Sequence, residues 1–143
     1  MRMISSDILD LLADVSTLGG IGGEEDWSIF QAYLPKQPIN GISVTDTNEY
    51  PPIKCLDNPT FEDETIQLMI RSKVLQTGYD KSKIVFDTLN AVAELTVTPV
   101  DSSESPYRYV AFFPESSILY IGRDENGHFV HTLNFKCPRR TKT

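Results

Sequence analysis

The side chains able to do nucleophilic or metal-assisted work are few: two histidines, His128 and His131, two cysteines, Cys55 and Cys137, and 20 acidic residues. Nucleophilic catalysis of the Ser/His/Asp or Cys/His kind needs a base within reach of the nucleophile. The two histidines are the only candidates, and both fall in the β-prone run from His128 to Cys137. Three positions apart on a strand, they point to opposite faces, because side chains alternate with period two. On a regular strand they cannot share a metal ion, and neither cysteine lies close enough in sequence to complete a recognisable ligand set. His131 shares its face with Phe129 and Leu133, so a half-buried, hydrogen-bonded histidine is expected. The cysteines lack the local spacing of a metal knuckle or redox pair and read as reduced structural thiols.

The carboxylates gather at Glu24-Glu25-Asp26 and Glu62-Asp63-Glu64, beside strands, where charge confers solubility and protects sheet edges. The alternative is a paired acid/base site built on Asp63 and Glu64, which would make the protein a small hydrolase. Gly19-Gly20-Ile21-Gly22-Gly23 shares only its glycine content with a phosphate-cradling loop. It follows a helix, precedes a strand and lacks the Lys-Ser/Thr ending, so it reads as a helix stop and flexible turn. Trp27, Phe30, Tyr33, Tyr107 and Tyr109 could stack nucleic-acid bases, but few basic residues interleave with them. Core and interface positions suit them better. The expectation is a protein without catalytic residues, metal site or cofactor, working through contacts with other subunits.

Composition points the same way. A chain of 143 residues, 40% hydrophobic, suits one domain with a substantial core. A formal net charge of -7 opposes general attraction to nucleic acid or to an anionic membrane surface. Residues 136–143 hold Lys136, Arg139, Arg140 and Lys142 with no acid. Such a basic C-terminal tail on an acidic body can reach an acidic neighbour, including another copy, or stay a solvated end. No apolar run approaches the roughly 20 residues needed to span a bilayer. The opening Met1-Arg2-Met3-Ile4-Ser5-Ser6-Asp7 lacks the apolar core of a signal peptide, so the protein is expected to stay in the cytoplasm where it is made.

The elements follow from periodicity and punctuation. Ser6 reads as the cap of a helix with the stripe Ile8, Leu11, Leu12 and Val15, stopped by Gly19 and Gly20. Trp27–Leu34 and Ile39–Val44 read as strands, and the Asn-, Asp- and Pro-rich stretch 45–63 as a long loop suited to interaction. From Glu64 to Val74, Ile66, Leu68, Ile70 and Val74 alternate with Thr65, Gln67, Arg71 and Lys73, predicting a strand with one wet face. After Gly78, Asp80 reads as the cap of a second helix that buries Ile84, Val85, Leu89 and Val92. Thr96–Val100 and Tyr107–Phe113 predict a hairpin, and Asn126-Gly127 predicts a tight turn between Ile118–Arg123 and His128–Cys137. The whole predicts a single α+β domain over 1–143: one mixed or antiparallel β-sheet packed with two main helices and ending in a C-terminal β-hairpin.

At that hairpin, Gly122-Arg123-Asp124-Glu125-Asn126-Gly127-His128 followed by Leu133-Asn134-Phe135 resembles the ending of tail terminator proteins of long-tailed bacteriophages, some of which are called minor capsid proteins. Thr65-Ile66-Gln67-Leu68-Met69-Ile70-Arg71 resembles that family's central strand, and the helix after Gly78 falls in the matching place. The resemblance covers most of the chain as an order of elements; its specific residues are Arg71, Arg123, Asp124, Gly127, Asn134 and Phe135.

It implies a structural virion protein of the tail and neck, made in the host cytoplasm and doing no catalysis. Copies would form a hexameric ring on the completed tail tube, stop its growth and offer a docking surface to the head. The implied partners are further copies, the tail tube protein and a head-tail connector or stopper protein. DNA would pass through the ring without specific binding, as an acidic body suits. Another neck component, an adaptor or stopper, shares this logic. Candidate contact residues are Arg71, Arg123, Asp124, Asn134, Arg139 and Arg140. For Arg71, Arg123 and Asp124 a local role in the fold is the alternative.

Overall fold

The alternation of Ile66, Leu68 and Ile70 with Thr65, Gln67 and Arg71 puts an apolar row on one face of a long strand, and the sheet is built on that strand. The computed structural model describes residues 2–23, 26–47, 61–100 and 103–141. In chain order the elements are α1 (Ile4–Ala13), a 3-10 turn (Ser16–Leu18), β1 (Ser28–Gln31), β2 (Gly41–Asp46), β3 (Phe61–Ser72) and α2 (Leu75–Asn90). They continue with β4 (Ala93–Val97), β5 (Tyr107–Ala111), β6 (Phe113–Pro114), β7 (Leu119–Arg123) and β8 (Phe129–Thr141). The fold is α+β, as expected, with a C-terminal strand hairpin.

β3 and β8 pair antiparallel along their whole length, from Phe61 opposite Arg140 to Ser72 opposite Phe129. The path across the sheet is β1-β2-β3-β8-β5-β4, with β1 and β2 parallel and the other pairs antiparallel. The second edge of β8 is divided among three strands: β7 near His131, β6 at Phe135 and Lys136, and β5 at Arg139 to Thr141. Both helices pack on one face of this sheet. Ile4, Ile8 and Leu12 of α1 and Val85 and Leu89 of α2 join Ile42, Val44, Ile66, Leu68, Ile70, Leu133 and Phe135 in a single buried cluster. At about 1.5–3 kcal/mol for each large side chain removed from water, that cluster is the main stabilising element.

The boundaries depart from local sequence signals wherever a distant group intervenes. α1 begins at Ile4, so Ser6 is inside the helix and does not cap it. Its N-terminus is served from β2: the Asp46 carboxylate accepts the Ser5 N–H at 3.1 Å and the Ser5 hydroxyl at 2.6 Å, where a negative group complements the helix dipole. α2 begins at Leu75, which places Gly78 and Asp80 within the helix and corrects the expected cap at Asp80. Gly78 is a contact point: a Cβ there would stand 2.2 Å from Ser72 Oγ and 3.3 Å from His131 Nδ1, so only glycine lets the helix come so close. β1 is shorter than Trp27–Leu34 because Trp27 and Ala32, at φ 63° and 70°, bracket it.

The expected loop over 45–63 narrows at both ends, since β2 runs to Asp46 and β3 starts at Phe61. Residues 48–60, Cys55 among them, lie outside the described residues, as does Lys142. The basic tail is corrected too: β8 continues to Thr141, so Lys136, Arg139 and Arg140 belong to the sheet. Met69 and Gln67 on the supposedly wet face of β3 are half-buried, and Thr65 is buried beside Thr47.

Candidate assembly surfaces

The hairpin joining β7 to β8 is wider than a two-residue Asn-Gly turn. The Asp124 N–H donates to the His128 carbonyl at 2.9 Å, and the Gly127 N–H donates to the Asp124 carbonyl at 3.0 Å, with Gly127 at φ 79°. Asp124 builds this loop. Its carboxylate accepts the backbone N–H of His128 and of Asn126, both at 2.9 Å, and these bonds hold its pKa below the usual carboxylate value. Arg123 lies exposed, its guanidinium 5.0 Å from the centroid of the Phe129 ring.

Arg71 faces away from the helices and is occupied by backbone: it donates to the carbonyls of Ile39 at 2.8 Å, Pro38 at 3.0 Å, and Pro35. These bonds tie the segment before β2 to β3, and burial lowers the Arg71 pKa. Asn134 is half-buried opposite Gln67, and its backbone carbonyl takes the Glu115 N–H at 2.9 Å.

At the end of β8, Arg139 is only 4% exposed. It donates to the Arg2 carbonyl and to the Tyr109 hydroxyl at 3.4 Å, sits over the rings of Tyr107 and Tyr109, and lies 3.9 Å from the Asp7 carboxylate. Asp7 accepts the hydroxyls of Tyr107 at 2.7 Å and Tyr109 at 2.5 Å and is approached by Arg2 at 3.5 Å. Burial first, then Asp7, raises the pKa of both tyrosines, so they remain donors. Arg139 is thus a core cation, while its neighbour Arg140 points outward and is exposed.

The other end of β8 holds the exposed apolar surface. His131 is 2% exposed and its Nδ1 has no hydrogen bond among the described residues, which corrects the expected half-buried, hydrogen-bonded histidine. Gly78 of α2 comes close to this nitrogen, and burial lowers the His131 pKa. The Tyr79 and Tyr120 rings flank it at 6.4 and 5.3 Å. Tyr79, Leu75 and Val74 near the start of α2 and Leu119, Tyr120 and Ile121 of β7 are all exposed. β7 pairs with β8 alone, so its far edge is open among the described residues.

A family model described as bacteriophage tail terminator protein matches residues 9–139. The chain belongs to the bacteriophage tail terminator family. No curated protein matches it. Membership gives this tail terminator chain a structural role in the phage tail and a place in the virion. Among its described residues no group of three or more His, Cys, Asp or Glu side chains could hold a metal ion, and no helix is long and apolar enough to cross a membrane.

The candidate residues of the terminator chain therefore separate into classes. Arg71, Asp124 and Arg139 have structural partners, whereas Arg123, Arg140 and part of Asn134 remain open to a neighbour. The sequence passed over the exposed row Leu119-Tyr120-Ile121, whose lack of polar alternation is a usable signal: consecutive apolar residues on an edge strand cannot all face one core.

Proposed function

We propose that copies of this chain close into a hexameric ring that caps the completed tail tube, ends its growth and joins the tail to the head connector. The observation that carries this reading is the open edge of β7, with Leu119, Tyr120 and Ile121 exposed beside Tyr79. Apolar side chains on an unpaired strand edge are a liability in a solitary chain and an asset in an assembly. Rings require heterologous contact, in which two different surfaces of one copy meet their complements on neighbours. Open β7 supplies one apolar surface for a neighbouring copy or the tube. A net charge of -7 suits a ring through which DNA passes without sticking.

The test combines mass measurement in solution, electron microscopy and binding to purified tails. Rings of six copies, alone or on tail ends, are expected. Ile121→Asp should abolish capping or raise the required concentration at least tenfold, at about 1.4 kcal/mol per factor of ten, without unfolding the chain. A chain that stays monomeric at high concentration and ignores purified tails sinks the reading.

A further inference from the structure

Arg108 of β5 and Arg140 of β8 stand directly opposite one another in the antiparallel ladder. Their neighbours Tyr107, Tyr109 and Arg139 turn into the core, so both guanidinium groups project from the face away from the helices. None of the ion pairs among the described residues engages either of them. Like charges placed opposite each other on a sheet destabilise it, so the arrangement costs the isolated chain stability.

On the helix side of the same end of the sheet, α1 and β4 enclose a cleft of about 290 Å³. Leu11, Leu95 and Val97 give it an apolar lining. Asp7, Asp10 and Asp14 face it, and among the described residues Arg2 is its one cation, already shared between Asp7 at 3.5 Å and Asp10 at 3.0 Å. Asp10 and Asp14 are exposed. The outer edge of β4 is unpaired among the described residues, so the cleft is open along one side.

We propose that the Arg108/Arg140 pair of one copy docks at the Asp10/Asp14 rim of this cleft on the next copy. The proposal rests on the ring reading and assigns it a contact. Two observations and two general rules support it. The charges are complementary, guanidinium forks bind carboxylates in fixed geometry, the two surfaces lie on opposite faces of the sheet, and such a pair repeats head to tail as a closed ring requires. A second copy is the occupant because the same chain carries both halves.

Charge exchange between copies tests this directly. One variant carries Arg108→Glu with Arg140→Glu, the other Asp10→Lys with Asp14→Lys. Each alone should need at least tenfold more protein to assemble, by mass measurement and by microscopy on purified tails. An equimolar mixture should restore assembly, with the two variants alternating in equal number. If either variant assembles like the wild type, or the mixture stays as inert as its parts, the contact is wrong while the ring stands. If the wild type never assembles, in solution or on tails, the ring reading fails with it. Circular dichroism checks that the variants fold; should a reversal unfold, the neutral pairs Arg108→Gln/Arg140→Gln and Asp10→Asn/Asp14→Asn replace it. Each neutral pair should then weaken assembly and remove its dependence on salt, and unchanged salt dependence overturns the proposal.

Discussion

The two ends of β8 each bury a polar side chain, and they treat it in opposite ways. At one end Arg139 has a carbonyl, a hydroxyl, two aromatic faces and the Asp7 carboxylate around it. At the other, His131 has an Nδ1 with no partner among the described residues and a helix backbone pressed against it at Gly78. A buried cation must be matched or the chain will not fold, whereas a buried imidazole can stay neutral and go unmatched at modest cost. The matched end locks α1 to the sheet. The unmatched end lies under the exposed tyrosines that make up the apolar surface.

This contrast can be broken at either end. The largest effect is expected from Asp7→Ala, which removes the buried carboxylate shared by Arg139, Tyr107 and Tyr109: about 3–5 kcal/mol, read by urea unfolding. A loss below about 1 kcal/mol would mean that the cluster is not a lock. Next, Gly78→Ala should cost about 1–3 kcal/mol by overpacking against Ser72 and His131. Adding Ser72→Ala should recover part of that loss, because it removes the oxygen 2.2 Å from the new methyl; no recovery would place the strain elsewhere.

The smallest effect is that of acid at the unmatched end. The folded pKa of His131 is depressed, so the unfolded chain takes up the proton first as pH falls through the unperturbed value of 6.5. Its contribution to stability is complete above that pH and is lost below it. Unfolding midpoints taken between about pH 7.5 and about pH 5.5 should fall, and His131→Leu should flatten the slope. An unchanged slope would assign the dependence to other groups.

Much of the fold was legible in the sequence because it was local. The alternation around Ile66, Leu68 and Ile70 located the central strand, and the order of elements fixed the α+β class. What escaped depends on partners far along the chain. Gly78 looked like a breaker and Asp80 like a cap because a single sequence does not show that Ser72 and His131 need the space a side chain would take. Ser6 looked like a cap because Asp46, which serves that helix end, is 41 positions from Ser5. Arg139 and Arg140 looked alike in a basic tail, yet strand alternation sends one into the core and the other to solvent. Of the candidate contact residues, Arg123 and Arg140 are exposed and Arg71 is tied to three carbonyls.

The division of β8 sets a schedule for synthesis. β3 lacks its principal partner, and β5, β6 and β7 lack any common neighbour, until residues 129–141 have left the ribosome. Arg139 then closes on the Arg2 carbonyl, 137 positions upstream. Long-range pairing of this kind makes folding late and cooperative. Until that strand has emerged, the two halves of the sheet have nothing to join them.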